Sequence, residues 1–343
     1  MKRISHFRKF VKPAVQFLAG FGGIVLIGFL VLQLIPKGKD QAGWQTIRPP
    51  QDVMALVLYQ NHLWSGGSAG LAAIDLQTGE NLPDVIPENK FKGITALLVT
   101  TTDQTLWVAH RQGVSRLQGK QWQTFSRADG LPENQVLCLS EDHDGSIWVG
   151  TLHGAARYKN GSWLTFTSAD GLENDTVSLI HIDSKERIWF ANGFTPAGGL
   201  TVWDGSNWTK LSEDGNLPHA SVNAIYEDSN GIMWLGTGFA SLGGLASYDG
   251  ENWKTMNQSD GLAGAKVRYL FKDMAANFWV GSEYDGIAVL TKAGNQILTP
   301  KNGLAGWEVK AMLQTDDDSL WLGTENGLTH IDGDTWRKEF SGN

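Results

Sequence analysis

The chain has 343 residues, 41 of them glycine and 15 tryptophan, and only 19% charged. That mix excludes a disordered chain, which needs much charge and few aromatics, and it suits an all-β protein with many tight turns. The formal charge is −8, but residues 1–39 carry seven bases and no acid, which leaves −15 for residues 40–343 and argues against a nucleic-acid partner.

Residues 1–13 form a basic tail with Lys2, Arg3, Arg8, Lys9 and Lys12. Residues 14–35 contain no charged group. A helix of that length spans about 33 Å at about 1.5 Å per residue, enough to cross a bilayer. The run is longer than the apolar region of a cleaved signal peptide, and no A-x-A pattern follows it. Residues 14–36 therefore read as a transmembrane signal anchor. The bases before it keep the N-terminus in the cytoplasm and send the body to the extracytoplasmic side. Residues 37–50, with Pro49 and Pro50, read as a tether.

From residue 51 to 340 one short pattern returns seven times, centred on Trp64, Trp107, Trp148, Trp189, Trp234, Trp279 and Trp321. Successive spacings are 43, 41, 41, 45, 45 and 42 residues. A period of this size with short β-branched and aromatic runs matches propeller blades, whereas helical repeats would need amphipathic helices. Each unit divides into four strands. In the third they are placed near Gln135–Glu141, Ser146–Thr151, Ala155–Lys159 and Trp163–Thr167. The outer strand has its own mark, Trp122–Phe125, Trp163–Phe166, Trp208–Leu211, Trp253–Met256 and Trp336–Phe340. From each of the first four to the next central Trp is 26 residues, so the loop between blades is fixed in length. The central tryptophans are expected to pack between blades. Trp44–Ile47 is a spare outer strand that either closes the last blade or lies outside it beside Trp336–Phe340. The expected fold is all-β, a seven-bladed β-propeller of four-stranded blades preceded by one transmembrane α-helix.

The unit D-G-L-x-x-N-x-V, D-x-x-G-x-I-W-V-G-T, G-x-x-R-Y, best seen from Asp129 to Tyr158, resembles the two-component regulator propeller repeat. Further copies start at Asp170, Asp260 and Asn302, with a looser one at Asp214. The resemblance implies an extracytoplasmic, ligand-sensing propeller. The family's usual arrangement pairs such propellers with a histidine kinase. Here the apolar segment precedes the propeller and no kinase core is present in the sequence, which leaves recognition as the implied role.

A propeller places its blade-joining loops and its second-to-third-strand loops on one face. On that face the repeat varies: His110, Arg111, His153, Phe194, Phe239, Glu283, Tyr284 and Glu325 in the second-to-third loops, and Trp307 in a blade-joining loop. Blades 4 and 5 carry four extra residues each, 19 rather than 15 between paired tryptophans, and the inserts at 193–199 and 238–244 look like copies of one another. They are expected to raise an aromatic wall opposite His110, Arg111 and His153. The Asp-rich turns at 142, 228 and 316 lack the further ligands and distal Glu of an EF-hand loop and read as turns. No His/Cys cluster has zinc spacing, so neither metal nor cofactor is expected. Cys138, alone in an apolar run, reads as a buried small hydrophobe. The expectation is binding of a small ligand or an envelope protein without catalysis. The alternative is a propeller lyase or hydrolase in which His110, His153, Glu283 and Glu325 converge over the central channel.

Overall fold

The computed structural model describes residues 42–342, apart from 49, 88–90, 194 and 213–214. The basic tail, the apolar segment, residues 37–41 and Phe194 lie outside the described residues. Among the described residues no helix is long and apolar enough to cross a membrane.

Strand β1 (Trp44–Ile47) comes first. Blade 1 is β2 (Val53–Tyr59), β3 (His62–Gly67) and β4 (Gly70–Ile74). Blade 2 is β5 (Ala96–Val99), β6 (Leu106–His110), β7 (Gly113–Gln118) and β8 (Gln121–Phe125). Blade 3 is β9 (Val136–Glu141), β10 (Ile147–Thr151), β11 (Gly154–Lys159) and β12 (Ser162–Phe166). Blade 4 is β13 (Leu179–Ile182), β14 (Ile188–Ala191), β15 (Leu200–Trp203) and β16 (Trp208–Lys210). Blade 5 is β17 (Val222–Glu227), β18 (Met233–Phe239), β19 (Leu242–Tyr248) and β20 (Trp253–Met256). Blade 6 is β21 (Val267–Lys272), β22 (Phe278–Ser282), β23 (Gly286–Thr291) and β24 (Gly294–Leu298). Blade 7 is β25 (Val309–Gln314), β26 (Leu320–Thr324) and β27 (Gly327–Ile331).

Each sheet is an antiparallel meander. The inner strands β2, β5, β9, β13, β17, β21 and β25 touch in succession, and β25 touches β2, so the ring closes. Closure uses β1 as the fourth strand of blade 7, paired Trp44 to Ile331 and Ile47 to Leu328. No sheet edge is left at the join. Blade 1 has three strands, its outer place marked only by a bridge from Ile74 to Asn81.

Trp336–Phe340 is not the outer strand its pattern suggested. It lies in helix α1 (Gly333–Phe340), capped by the Asp332 side chain on the Thr335 amide. The reason is that β1 already occupies the free edge of β27. With no ladder left to join, Trp336 and Phe340, one helical turn apart, are buried in the cluster that holds Trp44 and Trp279.

Local chemistry accounts for the repeat. The turn aspartate accepts the indole N–H of the Trp six residues later: Asp142 from Trp148 at 3.0 Å, Asp183 from Trp189 at 2.8 Å, Asp228 from Trp234 at 3.3 Å and Asp273 from Trp279 at 2.9 Å. These Asp-rich segments are therefore turn locks. The D-G-L segment is a short 3₁₀ turn: Ser126 accepts from Ala128, Asp129 accepts from the Ser126 amide, and Gly130 follows at φ 111°. Leu131, Leu172, Leu262 and Leu304 are then buried between blades. Six of the seven central tryptophans are buried and Trp234 is half-buried. The glycine after them is needed for close approach: a Cβ on Gly323 would lie 2.5 Å from Val53 Cγ1 of the next blade. Cys138 is buried, which pushes its thiol up to about 12.

Candidate functional site

In an antiparallel blade the start of the inner strand, the second-to-third loop and the end of the outer strand share one end. This end is the upper face of the ring, and the chain enters the ring from the opposite end, at Trp44.

The residues expected on this face fall into three environments. His110 is buried rather than presented. Gln112 donates its amide to Nδ1 at 3.2 Å, so the ring proton sits on Nε2, which donates to Ser115 Oγ at 2.9 Å. Phe91 stacks on the ring at 4.5 Å, and burial lowers the imidazole to about 4. Arg111 is exposed and lies over Gly93. His153 is exposed, with Nδ1 3.3 Å from Glu133 Oε2.

The two inserts fold differently. In blade 5 the ladder simply continues, Gly238 opposite Gly243 and Phe239 opposite Leu242, around a turn with Ala240 at φ 54°. In blade 4 the corresponding positions are Thr195 and Pro196. A β-branched residue before proline disfavours positive φ, and proline offers no N–H to a ladder. The blade 4 insert instead leans on the next blade-joining segment, where Gly199 donates to Ala220 O at 2.9 Å. Phe239 is half-buried and stacks on His219 at 6.3 Å, so the exposed group of that hairpin is Leu242, 64% exposed. Tyr284 stands 63% exposed at the tip of blade 6, at φ 65°. Trp307 beside it is 39% exposed, and its carbonyl accepts from Gly286 at 2.9 Å.

Glu283 and Glu325 hold this corner together. Glu325 accepts the amides of Trp307 at 2.8 Å and Glu308 at 3.0 Å. Glu283 accepts Arg268 Nε at 2.8 Å, with a second contact from Arg268 Nη2, and Lys266 Nζ lies 3.1 Å away. Burial opposes ionisation of Glu283, but Arg268 and Lys266 hold it below the usual carboxylate range. His110, His153, Glu283 and Glu325 thus each serve separate partners. Among the described residues no three His, Cys, Asp or Glu side chains gather as a metal site.

Reading the loops alone missed Arg268 and Lys310. They occupy a β-bulge near the start of the inner strand, where the register shifts between Val53 and Ala55, Val222 and Ala224, Val267 and Tyr269, and Val309 and Ala311. The extra residue is Met54, Asn223, Arg268 and Lys310 in turn. A bulge re-aims a side chain. Asn223 Nδ2 reaches Val267 O of the next blade at 3.3 Å, and Lys310 Nζ reaches Asp52 Oδ1 at 2.8 Å. The available signal was a repeat position that changes from Met to Lys while its valine neighbour stays constant.

The model of the two component regulator propeller family matches residues 130–153 and 216–239. No curated protein matches the sequence. Among solved structures, the extracellular domain of a hybrid two component system from B. thetaiotaomicron is similar at 15% identity and TM-score 0.71, over 84% of this chain and 41% of that one. PorZ, a surface component of the type-IX secretion system of Porphyromonas gingivalis, is similar at 15% identity and TM-score 0.65, over 84% and 47%. Virginiamycin B lyase from Staphylococcus aureus is similar at 14% identity and TM-score 0.64, over 84% and 98%. The chain thus spans about two fifths of the first of these proteins, and likeness at such identity speaks for the fold alone. The chain is a closed seven-bladed propeller, and two of its segments, residues 130–153 and 216–239, match the two-component regulator propeller repeat.

Proposed function

We propose that this protein is a membrane-anchored, extracytoplasmic propeller that binds a ligand or protein partner on its upper face without catalysis of its own. The observation that carries the reading is the collection of exposed apolar side chains on that face. Leu152, Tyr284 and Trp307 in three separate loops, and Leu242 at the tip of the blade 5 hairpin, stand at one end of the ring. Scattered apolar residues need no explanation, but Tyr284 stands at φ 65° in its hairpin turn, a conformation that costs a bulky residue energy. The likeness to the extracellular domain of a hybrid two component system supports the same compartment.

The test is crosslinking in intact membranes, comparing wild type with Leu242→Ser/Tyr284→Ser/Trp307→Ser. The variant is expected to fold normally and lose its crosslinked species. Unchanged crosslinking by a folded variant would sink the reading. A reporter fused after Asn343 should be active only outside the cytoplasm; cytoplasmic activity would remove the anchor and its orientation.

A further inference from the structure

One strand position in blade 7 has two claimants. In blades 2 to 5 the outer strand brings its tryptophan to the same ladder position: Trp122 opposite Leu117, Trp163 opposite Tyr158, Trp208 opposite Trp203 and Trp253 opposite Tyr248. In blade 7 that position, opposite Ile331, is held by Trp44 of β1. Yet Trp336 follows Ile331 at the same distance as Trp208 follows Trp203 and Trp253 follows Tyr248. The turn before it is also written alike: Asp332-Gly333-Asp334-Thr335 beside Asp204-Gly205-Ser206-Asn207 and Asp249-Gly250-Glu251-Asn252. In all three the aspartate accepts the amide three residues on, from Asn207 at 2.7 Å, Asn252 at 2.7 Å and Thr335 at 2.8 Å. They part at the glycine. Gly205 and Gly250 stand at φ 93° and 105° and turn the chain back along the sheet, whereas Gly333 is the first residue of α1. The fourth residue of the strand decides between the claimants. β1 puts Ile47, which is buried, opposite Leu328; the other segment would put Glu339 there. Burial favours the isoleucine and opposes an unpaired carboxylate.

We propose that residues 333–340 are a reserve fourth strand for blade 7, which exchanges with β1 by changing from helix to strand. When β1 is withdrawn, Gly333 turns to positive φ and α1 unwinds. Trp336, Arg337, Lys338 and Glu339 then pair with Ile331, His330, Thr329 and Leu328, in place of Trp44, Gln45, Thr46 and Ile47. The bond from the Thr335 amide to Asp332 is common to both states, so the hairpin turn is half made in advance. In the present state β1 and α1 support each other: Trp44 Nε1 donates to Glu339 Oε2 at 3.3 Å, and the Trp44 ring lies 6.4 Å from Phe340. Loss of β1 therefore also loosens the helix. The ring stays closed through the exchange, because β27 is never left as a bare edge. Attachment of the segment before Ile47 is thus reversible, and whatever captures β1 shifts a two-state element rather than breaking the propeller.

The test uses the full chain with two cysteine pairs, one for each state. Gln45→Cys/His330→Cys reports β1 in place, and His330→Cys/Arg337→Cys reports the exchanged strand. Residues opposite one another in an antiparallel ladder are close enough for a disulfide. Arg337 is at present held by Asp318 and Asp334, so the second pair closes only if α1 gives way. Each protein is oxidised in glutathione buffer without denaturant, and the disulfide is read by mass spectrometry. The first pair is expected to close quickly and the second slowly, with near-UV circular dichroism retained. Glu339→Leu gives the reserve strand an apolar fourth residue. It should speed closure of the second pair by about tenfold or more and slow closure of the first. No closure of the second pair overnight, closure only with loss of the circular dichroism signal, or a rate unchanged by Glu339→Leu overturns the proposal. The first two outcomes are read without any change at residue 339, so they decide even if Glu339→Leu does not fold.

Discussion

Lys310 Nζ of the last blade lies 2.8 Å from Asp52 Oδ1 at the start of the first, and so bridges the one place where the ring is joined by contacts rather than by consecutive chain. Burial opposes the charge on Lys310, but hydrogen bonding to Asp52 and attraction to Glu308 outweigh it and raise its pKa. Removing one partner leaves the other half-buried and unpaired. Lys310→Met is expected to lower stability by about 1–2 kcal/mol, and Asp52→Asn by less, since Asp52 is more exposed. A double-mutant cycle in urea should show coupling between the two sites; strict additivity would mean the pair does not hold the join.

The turn lock is most complete in blade 4. Asp183 is fully buried and accepts from Trp189 at 2.8 Å, from Arg187 Nε at 2.7 Å and from the amides of Lys185 and Arg187. Asp183→Ala should cost about 3–5 kcal/mol, because several donors lose their acceptor at once. Asp183→Asn keeps one acceptor oxygen and should cost clearly less. Equal losses in the two variants, read from denaturation midpoints, would show that the carboxylate acts only by filling space.

Stability should fall as the pH drops from 7 to 5. His110, His181 and His330 all have pKa values lowered by burial. For such groups the unfolded chain binds protons first, so their contribution is complete above about 6.5, the ordinary value. It is lost progressively as the pH falls toward the folded pKa, which for His110 is about 4. For His110 alone the loss at pH 5 is about 2 kcal/mol. Glu308, raised by burial, works in the opposite sense and offsets part of it. His110→Gln should flatten the pH profile of the melting temperature; an unaltered slope would assign the effect to other groups.

Tyr284→Gly separates stability from binding. Glycine accepts φ 65° without strain, so the variant should be as stable as wild type or up to about 1 kcal/mol more stable. It should also lose the crosslinked species. A lower melting temperature would show that the ring serves the fold.

Much of the fold was determined by the sequence, because repetition is written locally. Each of the seven central Trp, the Asp six residues before four of them, and the D-G-L turns act within one blade or on its neighbour, so the repeated Trp spells seven blades. The partner of Trp44–Ile47 was not written this way. It pairs with residues nearly 300 positions away, and only the closed ring decides that it completes blade 7 and leaves Trp336–Phe340 to form a helix. The same holds for the upper face. The sequence marked Tyr284 and Trp307 as unusual and placed them in neighbouring loops. It could not show that His110 is turned inward onto Ser115, or that Thr195 and Pro196 stop the blade 4 insert from copying the blade 5 hairpin. Nor could it bring Lys310 and Asp52, from blades 7 and 1, into contact. Chain order fixes which residues share a blade; which charges meet across blades depends on bulges and ring closure, which exist only once all seven blades have packed.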